Sequence, residues 1–170
     1  MLPKGLDFTE NQMEQIESIL RQLYWDTEAQ SILLADITGQ LISVLGESNV
    51  NTSALSALAA GNLAATREMA RLVGEPARFK LLLHEGEQRS VYLSDVDGEL
   101  VLVAIFGQRT PIGLVRLSTQ IAIQKLAPIV IDALEAAPHQ SVFISEETDS
   151  LADGIKESWD SVFGNNETST

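Results

Sequence analysis

Two eight-residue runs, RSVYLSDV from Arg89 and ELVLVAIF from Glu99, are separated only by Asp97-Gly98. A two-residue link of this composition joins neighbouring antiparallel strands. RFKLLLHE, from Arg78, precedes them across a turn at Gly86, so three consecutive strands read as an antiparallel meander. Upstream, SILLADI (31–37) and QLISVL (40–45) flank Thr38-Gly39 and read as a hairpin. Five strands are therefore expected, none of them parallel.

Helical periods occupy the segments between and around these strands. Over residues 9–24 Met13, Ile16, Leu20 and Leu23 recur at helical spacing, and Thr9 with Gln12 matches a capping box. A second, longer helix fills ALSALAAGNLAATREMARLVGE (54–75), with Thr52 or Ser53 as its N-cap and Gly74 placed to end it before Pro76. A third runs over 110–137 through Val115, Ala122, Leu126, Ile129, Val130 and Ala133, with a bend expected at Pro128. The order helix, two strands, helix, three strands, helix predicts an α+β sandwich, one five-stranded antiparallel sheet between helices.

Residues 1–137 make one domain on this reading, and from Pro138 the composition shifts. Glu146, Glu147, Asp149, Asp153, Glu157, Asp160 and Glu167 face only Lys156. Within this acidic tail, 138–170, Leu151, Ile155, Trp159 and Val162 or Phe163 recur at about four-residue spacing, which predicts a short amphipathic helix with one apolar ridge.

The charge excludes more than it identifies. With 11 basic against 24 acidic residues and a formal charge of −13, the chain would repel a nucleic-acid backbone and an anionic membrane surface. It has no cysteine, hence no disulfide, thiolate nucleophile or thiolate metal site. MLPKGLDFTE lacks a signal-peptide core and no later segment approaches a membrane span, so a soluble cytoplasmic protein is expected.

A search for catalytic chemistry ends without an active site. His84 and His139 have no second metal ligand or nucleophile at a useful spacing. The glycines form neither a Walker loop nor a dinucleotide fingerprint, so no cofactor is expected. Asp95 and Asp97 flank a turn, where aspartate bonds the local backbone. Arg67, Arg71, Arg109 and Arg116 are an ordinary scatter of arginines.

The second helix is the unusual element. On a helical projection Leu55, Leu58, Leu63, Met69 and Val73 form the expected core side. The opposite arc holds Ala57, Ala60, Gly61, Ala64, Arg67, Glu68 and Arg71, a face of small residues that a partner can approach closely. The bland alternative is that alanine is simply the best helix former. In RFKLLLHE, Phe79, Leu81 and Leu83 alternate with Lys80, Leu82 and His84, so both faces are partly apolar, and at a sheet edge such a strand invites pairing. A homodimer satisfies both features.

LLADITGQLISVLGE, SALAAGNLAATREMARLVGE, LLLHEGEQRSVYLSDV and ELVLVAIFGQRTPIGLVRL, in that order, resemble the Roadblock/dynein light-chain family over about residues 10–134. The resemblance implies a homodimer in which the third strands and second helices meet, here 78–84 with Phe79, Leu81 and Leu83, and 54–73. In its bacterial branch the paired helices form a platform for a Ras-like small GTPase of the MglA type. On this chain that platform would be Ala57, Ala60, Gly61, Ala64, Arg67, Glu68 and Arg71.

Such relatives accelerate GTP hydrolysis by ordering the switch regions, without inserting an arginine, in cell polarity or motility. The tail ridge of Leu151, Ile155, Trp159 and Phe163 would dock on the GTPase and influence nucleotide exchange. Two other classes compete. One is a passive Roadblock scaffold that binds a partner without changing hydrolysis. The other is a small-ligand sensor, for which the sequence shows no convergent polar cluster.

Overall fold

A computed structural model describes residues 6–46, 49–77 and 79–137, all within the compact unit Met1–Ala137. The elements are α1 (Glu10–Thr27), β1 (Ser31–Asp36), β2 (Leu41–Gly46), α2 (Thr52–Leu72), β3 (Leu81–Glu85), β4 (Arg89–Val96), β5 (Leu100–Gly107) and α3 (Ile112–Ala136). The strands form one five-stranded antiparallel sheet in the order β2-β1-β5-β4-β3. This is the predicted α+β architecture.

Local chemistry explains most boundaries. Thr9 and Gln12 cap α1 reciprocally: the Thr9 hydroxyl accepts from Gln12 N at 3.3 Å while Gln12 Oε1 accepts from Thr9 N at 2.9 Å. The N-cap of α2 is Asn51, not Thr52 or Ser53; its Oδ1 accepts from Ala54 N at 3.1 Å. Asparagine equals serine as a cap, and starting one residue earlier places that bond on the third helical residue. At the other end Gly74, at φ +74°, lets Gly74 N bond Arg71 O and Glu75 N bond Ala70 O, a Schellman closure. Asp97 (φ +50°) and Gly98 (φ +84°) make the β4–β5 turn with both central residues at positive φ, and Glu99 N returns to Val96 O at 3.1 Å.

The β1–β2 link is organised by a side chain. Asp36 ends β1, and its Oδ1 accepts from Thr38 N, Thr38 Oγ1 and Gln40 N at 2.9, 2.6 and 2.9 Å. The carboxylate is buried but surrounded by donors, which offsets its desolvation.

β1 and β5 are central and buried on both faces. On one face Ile32, Leu34, Leu100, Leu102, Ala104 and Phe106 pack against Ile16, Leu20 and Leu23 of α1 and Val115, Leu126 and Val130 of α3. On the other, Leu33, Ala35, Val101, Val103 and Ile105 meet Ala59 and Leu63 of α2. α3 runs on through Pro128, and by length and composition it is apolar enough to cross a membrane, contrary to the expectation that no segment would be. Its apolar content is accounted for in part by the core: all six periodic positions, Val115, Ala122, Leu126, Ile129, Val130 and Ala133, are buried.

Two glycines separate structural need from tolerance. A Cβ on Gly46 would lie 2.1 Å from Gln30 O, at φ +103°, whereas one on Gly61 meets nothing within 4 Å. Gly46→Ala is expected to cost roughly 2 kcal/mol or more. Gly61→Ala should gain about 0.5–1 kcal/mol by removing helix-interior glycine. Urea unfolding followed by circular dichroism reads both.

Candidate functional site

α2 presents to the sheet a face that matches its periodicity only in part: Leu63 is buried and Leu55 packs half-buried on the same core, while the rest of the face is shifted. Its buried residues are Ser56, Ala59, Ala60, Leu63, Thr66 and Ala70. Leu58, Met69 and Val73, assigned to the core from sequence, are 67, 51 and 71% exposed, and Leu72 is 75% exposed. The reason is clearance. The sheet face below already carries Leu33, Val101, Val103 and Ile105, so a helix close to it must turn small side chains inward. At the β1–β2 turn the approach is tightest: a Cβ on Gly39 would lie 2.7 Å from Ala57 Cα, and Ser56 Oγ donates to Gly39 O at 2.8 Å.

Of the seven nominated surface residues, Ala57, Gly61, Ala64, Glu68 and Arg71 are exposed together along one flank of α2. Ala60 is not; at 7% exposure it belongs to the sheet-facing side. Arg67 is half-buried and internally engaged. Its Nη2 donates to Asp95 Oδ1 at 3.2 Å and to Gly98 O at 2.9 Å, tying α2 to the β4–β5 turn. Asp95 Oδ1 also accepts from Gly98 N at 3.0 Å, the local backbone bond expected of an aspartate there. Among the described residues Arg71 pairs with exposed Glu68, at 3.0 Å.

Beside that flank, the outermost line of α2 runs Leu58, Gly61, Ala65, Met69, Leu72. Large apolar side chains stand at both ends and small ones in the middle. Exposed leucines and a methionine in line are the kind of patch that soluble surfaces reserve for partners.

β3 is an edge strand, as an inviting strand would have to be. It starts at Leu81, so Phe79 lies outside it, although Asp95 N still bonds Lys80 O at 3.1 Å. Continued register would set Phe79 against Val96, where β4 already turns toward β5. Lys80, Leu82 and His84 are the hydrogen-bonded positions facing β4. The backbone groups of Leu81, Leu83 and Glu85 therefore point away from the sheet. Leu81 and Leu83 pack toward the α1/α3 core and Leu82 toward α2, all three half-buried. His84 is exposed. Leu151, Ile155, Trp159 and Phe163, with His139, lie outside the described residues.

This arrangement, three helices around a five-stranded antiparallel sheet with β2 and β3 at its edges, is that of a Roadblock-type domain. The Roadblock/LC7 domain profile matches residues 15–106, and the chain belongs to that family. Among solved structures it is similar to MglB of Myxococcus xanthus, at 38% identity and TM-score 0.70 over 75% of this chain and 96% of that one. The gliding protein MglB of Thermus thermophilus matches at 29% identity and TM-score 0.69, over 78% and 99%. An MglB in a tetrameric arrangement matches at 28% and 0.71, over 78% and 99%. No curated protein sequence matches.

The two arginines of α2 should separate in a stability measurement. Arg67→Ala leaves the nearly buried Asp95 carboxylate and Gly98 O without that donor and is expected to cost about 1–3 kcal/mol. Arg71→Ala removes an exposed pair and should stay within about 0.5 kcal/mol of wild type.

Proposed function

We propose that this chain works as a homodimer that activates GTP hydrolysis by a bacterial Ras-like GTPase of the MglA type, in cell polarity or motility, in the cytoplasm. The carrying observation is the outer surface of α2, where a flank of small residues lies beside a line of exposed Leu58, Met69 and Leu72. Similarity to MglB structures and the free edge of β3 support the same reading.

The dimer forms through β3 edges and the Leu58–Met69–Leu72 line, which together offer main-chain bonds and apolar burial. The GTPase then meets Ala57, Gly61, Ala64, Glu68 and Arg71. Small side chains admit a close partner surface, and Glu68 and Arg71 supply charge contacts at its rim. Acceleration comes from holding mobile switch segments so that the GTPase's own groups are placed for in-line attack. On this reading no arginine is lent to the GTPase, and Arg67 is in any case committed to Asp95 and Gly98. The tail ridge of Leu151, Ile155, Trp159 and Phe163 docks on the same GTPase and influences its exchange.

Ala64→Arg places bulk and charge in the middle of the flank. We expect an intact dimer by light scattering and loss of stimulation, at least tenfold, in single-turnover hydrolysis with the MglA-type GTPase of the same cell. Unchanged stimulation overturns the assignment of that flank. Wild-type protein that binds the GTP-analogue state yet leaves hydrolysis unchanged selects the passive scaffold instead.

Trp159→Ala should weaken GTPase binding or alter exchange several-fold, while truncation from Gly164 onward is without effect. Identical exchange kinetics in wild type and Trp159→Ala remove the tail from the mechanism.

A further inference from the structure

The helical layer of α1 and α3 does not close over the whole sheet. α1 lies on β1 and β2 and α3 on β4, and a cleft of about 480 Å³ remains between the approach to β3, β4 and the first half of α3. That volume lies within the range of small-molecule sites.

The lining is amphipathic. Phe79, Leu81 and Ile123 give an apolar wall, while Arg116 brings a cation to it in a chain of formal charge −13. Among the described residues the ion pairs are Arg67–Asp95 and Arg71–Glu68, and Arg116 is in neither.

Thr119 is the second, independent observation. It is 1% exposed, lines the cleft, and its Oγ1 has no hydrogen-bond partner among the described residues. Helical threonines ordinarily donate back to the carbonyl four residues earlier. Thr27 does so to Leu23 O and Thr66 to Asn62 O, both at 2.7 Å. A buried hydroxyl left unpaired is costly, and natural structures that keep one usually use it. Nearby, burial pushes the Tyr92 phenol above its ordinary 10.0 despite the opposing charge of Arg116 and its hydrogen bond with Ser94.

We infer that this cleft binds a small organic anion, an oxyanion head held by Arg116 on an apolar body lying against Phe79, Leu81 and Ile123, with Thr119 Oγ1 hydrogen-bonded to it. The cleft is built by one chain. Edge pairing of β3 uses its outward backbone groups rather than this sheet face, and the test below reads the cleft without reference to any GTPase.

The test is titration of the full chain with phenyl phosphate and, separately, benzoate, followed by amide chemical shifts, with phenol and inorganic phosphate as controls. Shifts should centre on Thr119, Gln120 and Tyr92, with phenol and inorganic phosphate each at least tenfold weaker than the better probe. The stronger of the two probes identifies the head as phosphate or carboxylate. Arg116→Gln and Thr119→Val should each weaken binding tenfold or more, and Thr119→Val should keep or raise the Tm, because it removes an unpaired polar atom without a change of shape. No cleft shifts with either probe at millimolar concentration, or unaltered affinity in both variants, overturns the inference.

Discussion

Burial of β1 and β5 on both faces is the constraint on which everything else depends. Every residue of β1 and all but the last of β5 is buried, so a core must exist above and below the sheet. Each large side chain removed from water contributes about 1.5–3 kcal/mol, and neither face could be left wet without losing several. Two helices supply one cover and α2 alone the other. Because α2 stands alone, it has to lie near the centre of the sheet and close to it. That closeness admits alanine, serine and threonine, with Leu63 as the principal large side chain.

The same constraint explains what the sequence showed and what it concealed. The Asp97-Gly98 turn, the Thr9/Gln12 cap and Gly74 were legible because each rests on chemistry within three or four residues. The core of α3 was legible because its apolar period is strong. The inner face of α2 was not. Periodicity assigns the largest side chains to the interior, and here the nearest sheet residues had already taken that volume, so Leu58, Met69 and Val73 went outward. Arg67 was misplaced for a different reason: its partners, Asp95 and Gly98, are 28 and 31 residues away in sequence. Only the fold brings them together.

Arg67 also bears on how a surface of this kind can act. A helix that is to hold mobile segments of another protein must itself be fixed, and α2 is fixed at both ends. Ser56 bonds the β1–β2 turn and Arg67 the β4–β5 turn, one near each end of the helix. Arg67 is spent on rigidity. On the proposed reading, catalysis by positioning is what such a fixed surface suits.

Energetics set how the outer face of α2 must be shared on the proposed reading. β3 is five residues long, and its outward-facing positions are Leu81, Leu83 and Glu85. The few main-chain bonds they allow between two copies contribute about 0.5–1.5 kcal/mol each. Association itself costs an estimated 4–15 kcal/mol in lost freedom. Edge pairing alone cannot hold a dimer, and the largest exposed apolar side chains on α2 are Leu58, Met69, Leu72 and Val73. Once these are committed to the second copy, what α2 still offers a third protein is the low flank of Ala57, Gly61 and Ala64 with Glu68 and Arg71. A surface with so little apolar area binds through shape and switch-state contacts, which is the affinity range a regulator that must release its GTPase needs.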